Sequence, residues 1–178
     1  SLAATPTAIK IQDINDTLQA EVGYRTRLLI KAAKDGLLKA AQAAYRLGAQ
    51  TDAFFQGKTP LHYAIENGHE EIVRFLLETC HVDVNIKDEN GLTPVQHALK
   101  AHHQHLIPLL QKHGAQVPKA KQFAQEALHF KNATAARSIT KANNIHMYDV
   151  IDKSKPLFAA IAKGDTRMVK HMLSIGFS

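Results

Sequence analysis

The chain has 178 residues, of which 45% are hydrophobic, one cysteine and a formal net charge of +6. This length and composition suffice for one sizeable core, and a single cysteine excludes an internal disulfide. No run of apolar residues approaches the roughly 20 that a membrane span needs. We therefore expect one soluble domain from a reducing, cytoplasm-like compartment.

The first 25 residues predict a helix of their own. Thr5-Pro6 is typical of a helix start, and the apolar residues that follow are spaced as one stripe: Ile11, Ile14, Leu18 and Val22. The chain begins with Ser rather than Met, so we expect it to be a segment of a longer protein.

The rest of the chain repeats. The first column of turn-forming residues is Gly36, Gly68, His102, Asn132 and Gly164, and the second is Gly48, Cys80, Gly114, Asn144 and Gly176. Gly, Asn and His tolerate positive φ, so each column indicates a turn. Steps of 32, 34, 30 and 32 residues along the first column predict a solenoid of five units.

Each unit is predicted to hold two short helices with a turn between them. In the second unit, Thr59 can cap and Pro60 can open a first helix that ends near Glu66. Apolar residues then recur over residues 70–77, which predicts a second helix with a broad buried face. The expected fold class is an all-α solenoid of stacked helix-turn-helix repeats joined by hairpin-like loops.

The second unit carries a specific motif, Thr59-Pro60-Leu61-His62-Tyr63-Ala64, followed by Asn67-Gly68-His69. The third unit keeps Thr93-Pro94, while the first has lost this opening and the fourth is the most degenerate. In these features the sequence resembles the ankyrin-repeat family, whose units of about 33 residues carry T-P-L-H-x-A. The resemblance covers residues 26–177 and implies a solenoid that binds proteins.

We predict the following division of the chain. Residues 1–25 form an N-terminal cap, since the end of a solenoid must shield an apolar face that no neighbour covers. The ankyrin-repeat domain takes residues 26–178, with units of about 26–56, 57–90, 91–120, 121–152 and 153–178.

Histidine and cysteine side chains in the second unit raise the question of catalysis. The resemblance implies that His62 bonds backbone groups of adjacent units and that His69 begins the second helix. Cys80 beside His81 is not a catalytic dyad, because such pairs meet in space and need an orienting group and an oxyanion site. We predict no catalytic residue, no enzyme activity and no cofactor within these residues.

The segment His102-His103-Gln104-His105 invites a metal interpretation, because imidazole is a common ligand. On a helix, ligands four residues apart share a face, whereas these three histidines point in different directions. We therefore predict no structural metal.

Charge is unevenly distributed along the chain. Residues 1–117 contain 12 Lys and Arg against 12 Asp and Glu, while residues 118–178 contain 10 against 4. This asymmetry favours an acidic partner, with a merely solvated basic face as the alternative. Nucleic acid is a weaker candidate, since the basic positions are scattered rather than forming a block.

In the family, partner contacts come from loop tips and the inner helix. Carried over residue by residue, the resemblance implies these partner-binding positions: Lys34, Asp35, Phe55, Gln56, Lys58, Glu66, Asn67, Glu89, Asn90, Leu92, Lys100, Ala101, Lys155 and Lys163. Phe54 and Phe55 replace the family's polar tip, and we expect at least one ring to fold back onto the first unit.

The leading hypothesis is a monomeric, non-catalytic module that binds a partner protein on its concave surface, without membrane insertion. The alternative is an accessory, substrate-recruiting segment of a larger enzyme or of a bacterial effector acting in a host cell. Its catalytic domain would then lie outside these residues, and its place of action would be the host cytosol or nucleus.

Overall fold

A computed structural model describes residues 11–151 and residues 164–167, 170 and 174, with side chains described from residue 23 onward. Within residues 11–151 the chain has eight α-helices and no β-strand. They are α1 (Ile11–Asp35), α2 (Leu38–Arg46), α3 (Pro60–Glu66), α4 (Glu70–Glu78), α5 (Pro94–Lys100), α6 (Ile107–Lys112), α7 (Ala120–His129) and α8 (Ala133–Ala142). A 3-10 helix over Gln104–Leu106 leads into α6, and another over Met147–Asp149 follows α8.

The helices stack as successive pairs. Helices α1, α3, α5 and α7 contact one another in chain order and form what we call the inner row. Helices α2, α4, α6 and α8 are the second members of the pairs, and we call them the outer row; α2 contacts α4 directly. This arrangement confirms the predicted all-α repeat solenoid.

The core lies between the two rows and between adjacent pairs. In the second unit, Leu61 and Ile65 of α3 and Ile72 and Leu76 of α4 are at most 1% exposed. Within each helix the two positions are four residues apart, which places them on one helix face. Burial of this face, more than the intrinsic propensity of helices of seven and nine residues, therefore stabilises the pair.

The predicted turn columns are correct in most units and wrong by one residue in two. Gly36, Gly68 and His102 have positive φ as expected, but in the fourth unit the positive φ belongs to Lys131. Asn132 instead caps α8, where its side-chain oxygen accepts from the backbone N–H of Ala135. Asn is favoured both in turns and at helix starts, so its residue type alone could not separate the two roles.

The second column has the same kind of error. Gly48, Gly114 and Asn144 have positive φ, whereas in the second unit the residue with positive φ is His81 and not Cys80. Gly164 of the first column is also at positive φ, while Gly176 lies outside the described residues. The loop after α4 is one residue longer than the column assumed, which moves the turn.

Helix α1 runs without interruption across residues 25 and 26, where the sequence placed the border between a cap and the first unit. The helix over the predicted apolar stripe is present, but its start at Thr5-Pro6 and the side chains of that stripe lie outside the described residues. The division of the chain into a cap and five units stays a prediction. No helix in the described part of the chain is long and apolar enough to cross a membrane.

Candidate functional site

A tight hairpin forms the loop tip of the second unit. Phe55 and Lys58 exchange backbone hydrogen bonds with N···O distances of 2.9 and 3.2 Å. Between them, Gln56 and Gly57 have φ of 48° and 75°. A type I′ turn requires positive φ at both central positions. The tip is therefore a defined structure that presents the exposed side chains of Phe55 and Gln56.

A buried tyrosine joins this tip to the inner row. The Tyr63 hydroxyl of α3 donates to the carbonyl oxygen of Phe55 at 2.8 Å. The Nζ atoms of Lys34 and Lys58 lie 5.2 and 5.6 Å from the centre of the Tyr63 ring, within reach of cation–π attraction. Lys58 also pairs with Glu66 at 2.8 Å. Four predicted residues, Lys34, Phe55, Lys58 and Glu66, thus surround one ring that the sequence analysis did not single out.

The electrostatics of this cluster follow from its contacts. The hydrogen bond to Glu66 raises the pKa of Lys58 above its ordinary value. Burial raises the pKa of Tyr63. The surface around Tyr63 therefore combines a protonated Lys58 with a neutral phenol at neutral pH.

Phe54 and Phe55 lie against the first unit and remain accessible, with 54% and 38% of their surface exposed. Together they border a hollow of about 330 Å³. Its other walls come mainly from α1 and from the loop that follows α2: Gly23, Thr26, Arg27, Ile30 and Gln50. Two aromatic rings beside a hollow are the kind of feature that protein partners use as an anchor point.

The tip of the third unit is organised by Asp88. One carboxylate oxygen accepts from the backbone N–H groups of Asn90 and Leu92, both at 2.8 Å. The backbone N–H of Glu89 donates to the carbonyl of Gly57 at 2.9 Å, which joins the two neighbouring tips. The side chain of Glu89 lies against Gly57, and the φ of 75° at this position favours glycine. Glu89 and Asn90 are exposed and Leu92 is half-buried.

The remaining predicted residues lie at ends of inner-row helices. Asp35 ends α1 and pairs with Lys31 at 2.8 Å, a hydrogen bond that lowers the pKa of Asp35. Asn67 follows α3 and donates from its amide to the carbonyl of Tyr63 at 2.8 Å. Lys100, the last residue of α5, is exposed, whereas Ala101 is half-buried and offers little side chain. Lys155 and Lys163 lie outside the described residues.

His62 has a structural role, as the resemblance implied, but its two backbone partners both lie within the predicted second unit. Its Nδ1 accepts from the backbone N–H of Thr59 at 3.1 Å, and its Nε2 lies 2.9 Å from the carbonyl oxygen of Ile86 in the next loop. Only a neutral imidazole can accept at one nitrogen and donate at the other. Burial, reinforced by the nearby His97, lowers the pKa of His62 to about 4. The ring is therefore a neutral bridge between the start of α3 and the loop that follows α4.

A second buried histidine lies beside the first, and the sequence analysis missed it. The rings of His97 and His62 are 4.8 Å apart, and His97 Nε2 is 2.8 Å from the Asp88 carboxylate. Burial lowers the pKa of His97. Burial alone would raise the pKa of Asp88, but hydrogen bonds from the backbone N–H of Leu92, from His97 and from the N–H of Asn90 outweigh it and lower this pKa.

Three equivalent side chains bridge the starts of α4, α6 and α8 to the preceding unit. The rings of His69 and His103 lie 3.0 and 2.9 Å from the carbonyl oxygens of Lys34 and Ile65. Asn132 donates to the carbonyl of Leu99 at 2.9 Å. These bonds satisfy carbonyl groups near the ends of inner-row helices, which have no partner within the helix. The histidines thus hold the scaffold together.

The structure also locates the histidine-rich segment and Cys80. No group of three or more His, Cys, Asp and Glu side chains there is placed to hold a metal ion. His103 of the histidine-rich segment makes an inter-unit hydrogen bond, and His102 forms a turn with φ of 60°. Burial raises the pKa of the Cys80 thiol to about 11, which disfavours the nucleophilic thiolate.

Fold and surface together define a class of protein, the helical-repeat solenoid with hairpin tips beside an inner helix row. A family model described as ankyrin repeats (3 copies) matches residues 8–88 and 29–122. The chain belongs to the ankyrin-repeat family. Ankyrin-repeat domains are generally non-catalytic and act in protein–protein interaction.

The chain is also similar to several much longer proteins. It is 34% identical over 106 residues to a probable E3 ubiquitin-protein ligase, XBOS32 of Oryza sativa subsp. japonica, covering 57% of this chain and 21% of that protein. It is 27% identical over 156 residues to rabankyrin-5 of Mus musculus, covering 82% and 13%. It is 26% identical over 134 residues to the human transient receptor potential cation channel subfamily A member 1, covering 68% and 12%. The chain thus spans at most about a fifth of the length of these relatives.

Proposed function

We propose that the chain recognises a partner protein with the surface formed by the hairpin tips and the inner-row helix ends. The observation that carries this proposal is the cluster around Tyr63, which joins Lys34, Lys58 and Glu66 to the tip that presents the exposed Phe55. An aromatic anchor beside charged groups held in fixed positions is the composition of an interface hot spot.

The partner carries an acidic surface in this proposal. The excess of Lys and Arg in residues 118–178 supports it, because a positive field speeds the association of an acidic protein. Within the described part of that segment, Lys119, Lys121, Lys131, Arg137 and Lys141 are all exposed. The chain binds as a monomer and acts in the cytoplasm.

Phe55→Ala tests the surface directly. Partners are first recovered from a lysate with the wild-type chain, and affinity for the recovered protein is then measured by titration calorimetry. We expect Phe55→Ala to weaken binding by about 1 to 3 kcal/mol, because hot-spot aromatics contribute on this scale. Its melting temperature should stay close to that of the wild type, since the ring is 38% exposed.

Leu47→Ala is the matched control. Leu47 follows α2 in the outer row and is 55% exposed, so its truncation removes a comparable apolar surface from the opposite side of the unit. Equal losses of affinity in both variants, or loss of folding in Phe55→Ala, would contradict the proposed surface.

A second candidate function is recruitment of a substrate to an enzyme. It is supported by the similarity to a probable E3 ubiquitin-protein ligase, of which this chain spans only 21%. The binding surface would be the same, but the recovered protein would be chemically modified by the longer protein that contains this segment. Mass spectrometry of the recovered partner, with and without that longer protein, separates the two functions.

A further inference from the structure

An apolar groove separates the last two outer-row helices. It encloses about 380 Å³ between α6 and α8, above the start of α7. Its floor is buried and its mouth is exposed. We call it the outer groove and define it by six of its lining residues: Ile107, Pro108, Gln111, Ser138, Ile139 and Ala142.

The space exists because α8 carries small side chains where α4 carries large ones. Counted from the N-caps His69 and Asn132, the equivalent positions bury Ile72 and Val73 in α4 but Ala135 and Ala136 in α8. Side chains this short cannot fill the distance to a neighbouring helix, and close packing between α6 and α8 is lost. The degenerate fourth unit therefore differs from the others in packing as well as in motif.

An amphipathic helix fits the outer groove better than other guests. An extended peptide needs a free strand edge for its backbone, but the groove walls are mostly helices whose backbone groups bond internally. A small molecule is normally enclosed on most sides, whereas this groove has an exposed mouth formed by Pro108, Gln111, Ser138 and Ala142. The ten residues of α8 span about 15 Å, enough to contact two to three turns of a guest helix.

The charged residues next in sequence to the lining of the outer groove are all basic. Lys112, Lys119 and Lys141 each follow or precede a lining residue in sequence, and all three are exposed. No Asp or Glu is a lining residue or a sequence neighbour of one. Within the described part of the chain, none of the three lysines makes an ion pair. Their charges are therefore available to a guest.

We propose that the outer groove binds an acidic amphipathic helix of a partner protein, with apolar residues in the groove and Asp or Glu facing Lys112, Lys119 and Lys141. This site lies between α6, α8 and the start of α7, away from the tips of the second and third units, and does not depend on the surface around Tyr63. One chain could therefore hold two proteins at once.

A phage-displayed library of helical peptides of about 14 residues, four turns long, tests the proposal. Peptides that bind the Ala142→Phe variant, whose ring fills the groove mouth, are first removed from the library. The remaining peptides are then selected for binding to the wild-type chain. We expect enriched peptides with apolar residues at i, i+3, i+4 and i+7 and acidic residues on the other face. No enrichment, or enrichment of peptides without this period or without acidic residues, would overturn the proposal.

Anisotropy titrations of one enriched, dye-labelled peptide supply the controls. Ala142→Phe and the pair Lys119→Glu with Lys141→Glu should each weaken binding at least about tenfold. Ala43→Phe and the pair Lys39→Glu with Arg46→Glu, all exposed positions of α2, should leave it unchanged. Melting curves by circular dichroism check that each variant folds. If Ala142→Phe does not fold, the variant that combines Lys119→Glu with Lys141→Glu still tests the proposal.

Self-association is the competing occupant. Sedimentation equilibrium measures the oligomeric state of the wild-type chain and of Ala142→Phe. A dimer for the wild type and a monomer for the variant would mean that a second copy of the chain occupies the groove. That result would overturn the proposal of an acidic partner helix.

Discussion

Glycine and histidine are paired from one unit to the next. The ring of His69 lies 2.7 Å from where a Cβ would stand at Gly36, and the ring of His103 lies 2.9 Å from the same point at Gly68. These turns therefore need glycine for space as well as for φ of 76° and 73°. In the fourth unit the bridging residue is Asn132, and the turn before it is at His102, which carries a side chain.

Acid should destabilise the fold through its buried histidines. The folded-state pKa of His62, about 4, lies below the ordinary 6.5, so the unfolded chain takes up protons first as pH falls. The contribution of His62 to the free energy of unfolding is therefore complete above pH 6.5 and decreases as the pH falls toward 4. For His62 alone we expect a loss of about 2 kcal/mol in the free energy of unfolding at pH 5. His97 acts in the same direction, and Asp88 only below pH 3.8.

Urea unfolding at pH 7 and pH 5 measures this loss, and His62→Gln is the matched control. Gln96 occupies the equivalent position of the third unit and accepts from the backbone N–H of Thr93 at 2.9 Å, so glutamine can make this bond without titrating. We expect a smaller loss between the two pH values in the variant. An equal loss in both proteins would mean that protonation of His62 does not destabilise the fold between pH 7 and pH 5.

The two helices of a unit are held by different means. Helix α3 has only seven residues, and its start is fixed by Thr59 and Pro60 together with the His62 ring. Helix α4 starts with two acidic residues, Glu70 and Glu71, which favour a helix N-terminus. Neither helix is long enough to be stable alone, so each depends on the face that it buries.

Leu76→Ala, in the buried face of α4, should strongly lower the free energy of unfolding. Leu76 is 0% exposed, and truncation of a buried leucine leaves a cavity that costs about 2 to 5 kcal/mol. Thermal unfolding followed by circular dichroism measures the change. Leu37→Ala, at a position that is 51% exposed, is the comparison and should change stability little. Similar losses in both variants would contradict the described packing.

At the scale of the whole molecule, the charge asymmetry predicts how association depends on salt. If Lys155 and Lys163 face an acidic protein, reversing both to Glu should slow association. Binding by the wild type should weaken as salt rises past about 0.15 M, where the Debye length is near 8 Å. Stopped-flow measurements across salt concentrations give both quantities.

Lys39→Glu with Lys112→Glu is the matched pair, because it changes net charge equally and both residues lie on outer-row helices. Lys112 lies beside the proposed outer groove, which would hold a separate guest. The partner used in this comparison must therefore be one whose binding is weakened by Phe55→Ala. Should both pairs of reversals behave alike, the basic third of the chain is a solvated face and does not steer this partner.

Local features of the fold could be predicted from the sequence, and contacts between units mostly could not. Thr59-Pro60 fixes a helix start within a few residues, so its effect can be read directly. The Tyr63 cluster depends on Lys34 from the preceding unit, and the Asp88–His97 contact depends on the path of a loop. The outer groove arises because the side chains of α8 are too small to fill the space beside α6. No single sequence motif predicts this, because it depends on two helices from different units.

Hydrogen–deuterium exchange of the chain, alone and with its recovered partner, most directly tests the claim that the tips and inner-row ends bind protein. The account predicts slowed exchange on binding at residues 55–58 and 88–92 and at the C-terminal ends of α3 and α5. The outer-row helices α2 and α4 should exchange as they do in the free chain. Slowed exchange confined to α2 and α4, with the tips unchanged, would contradict the account.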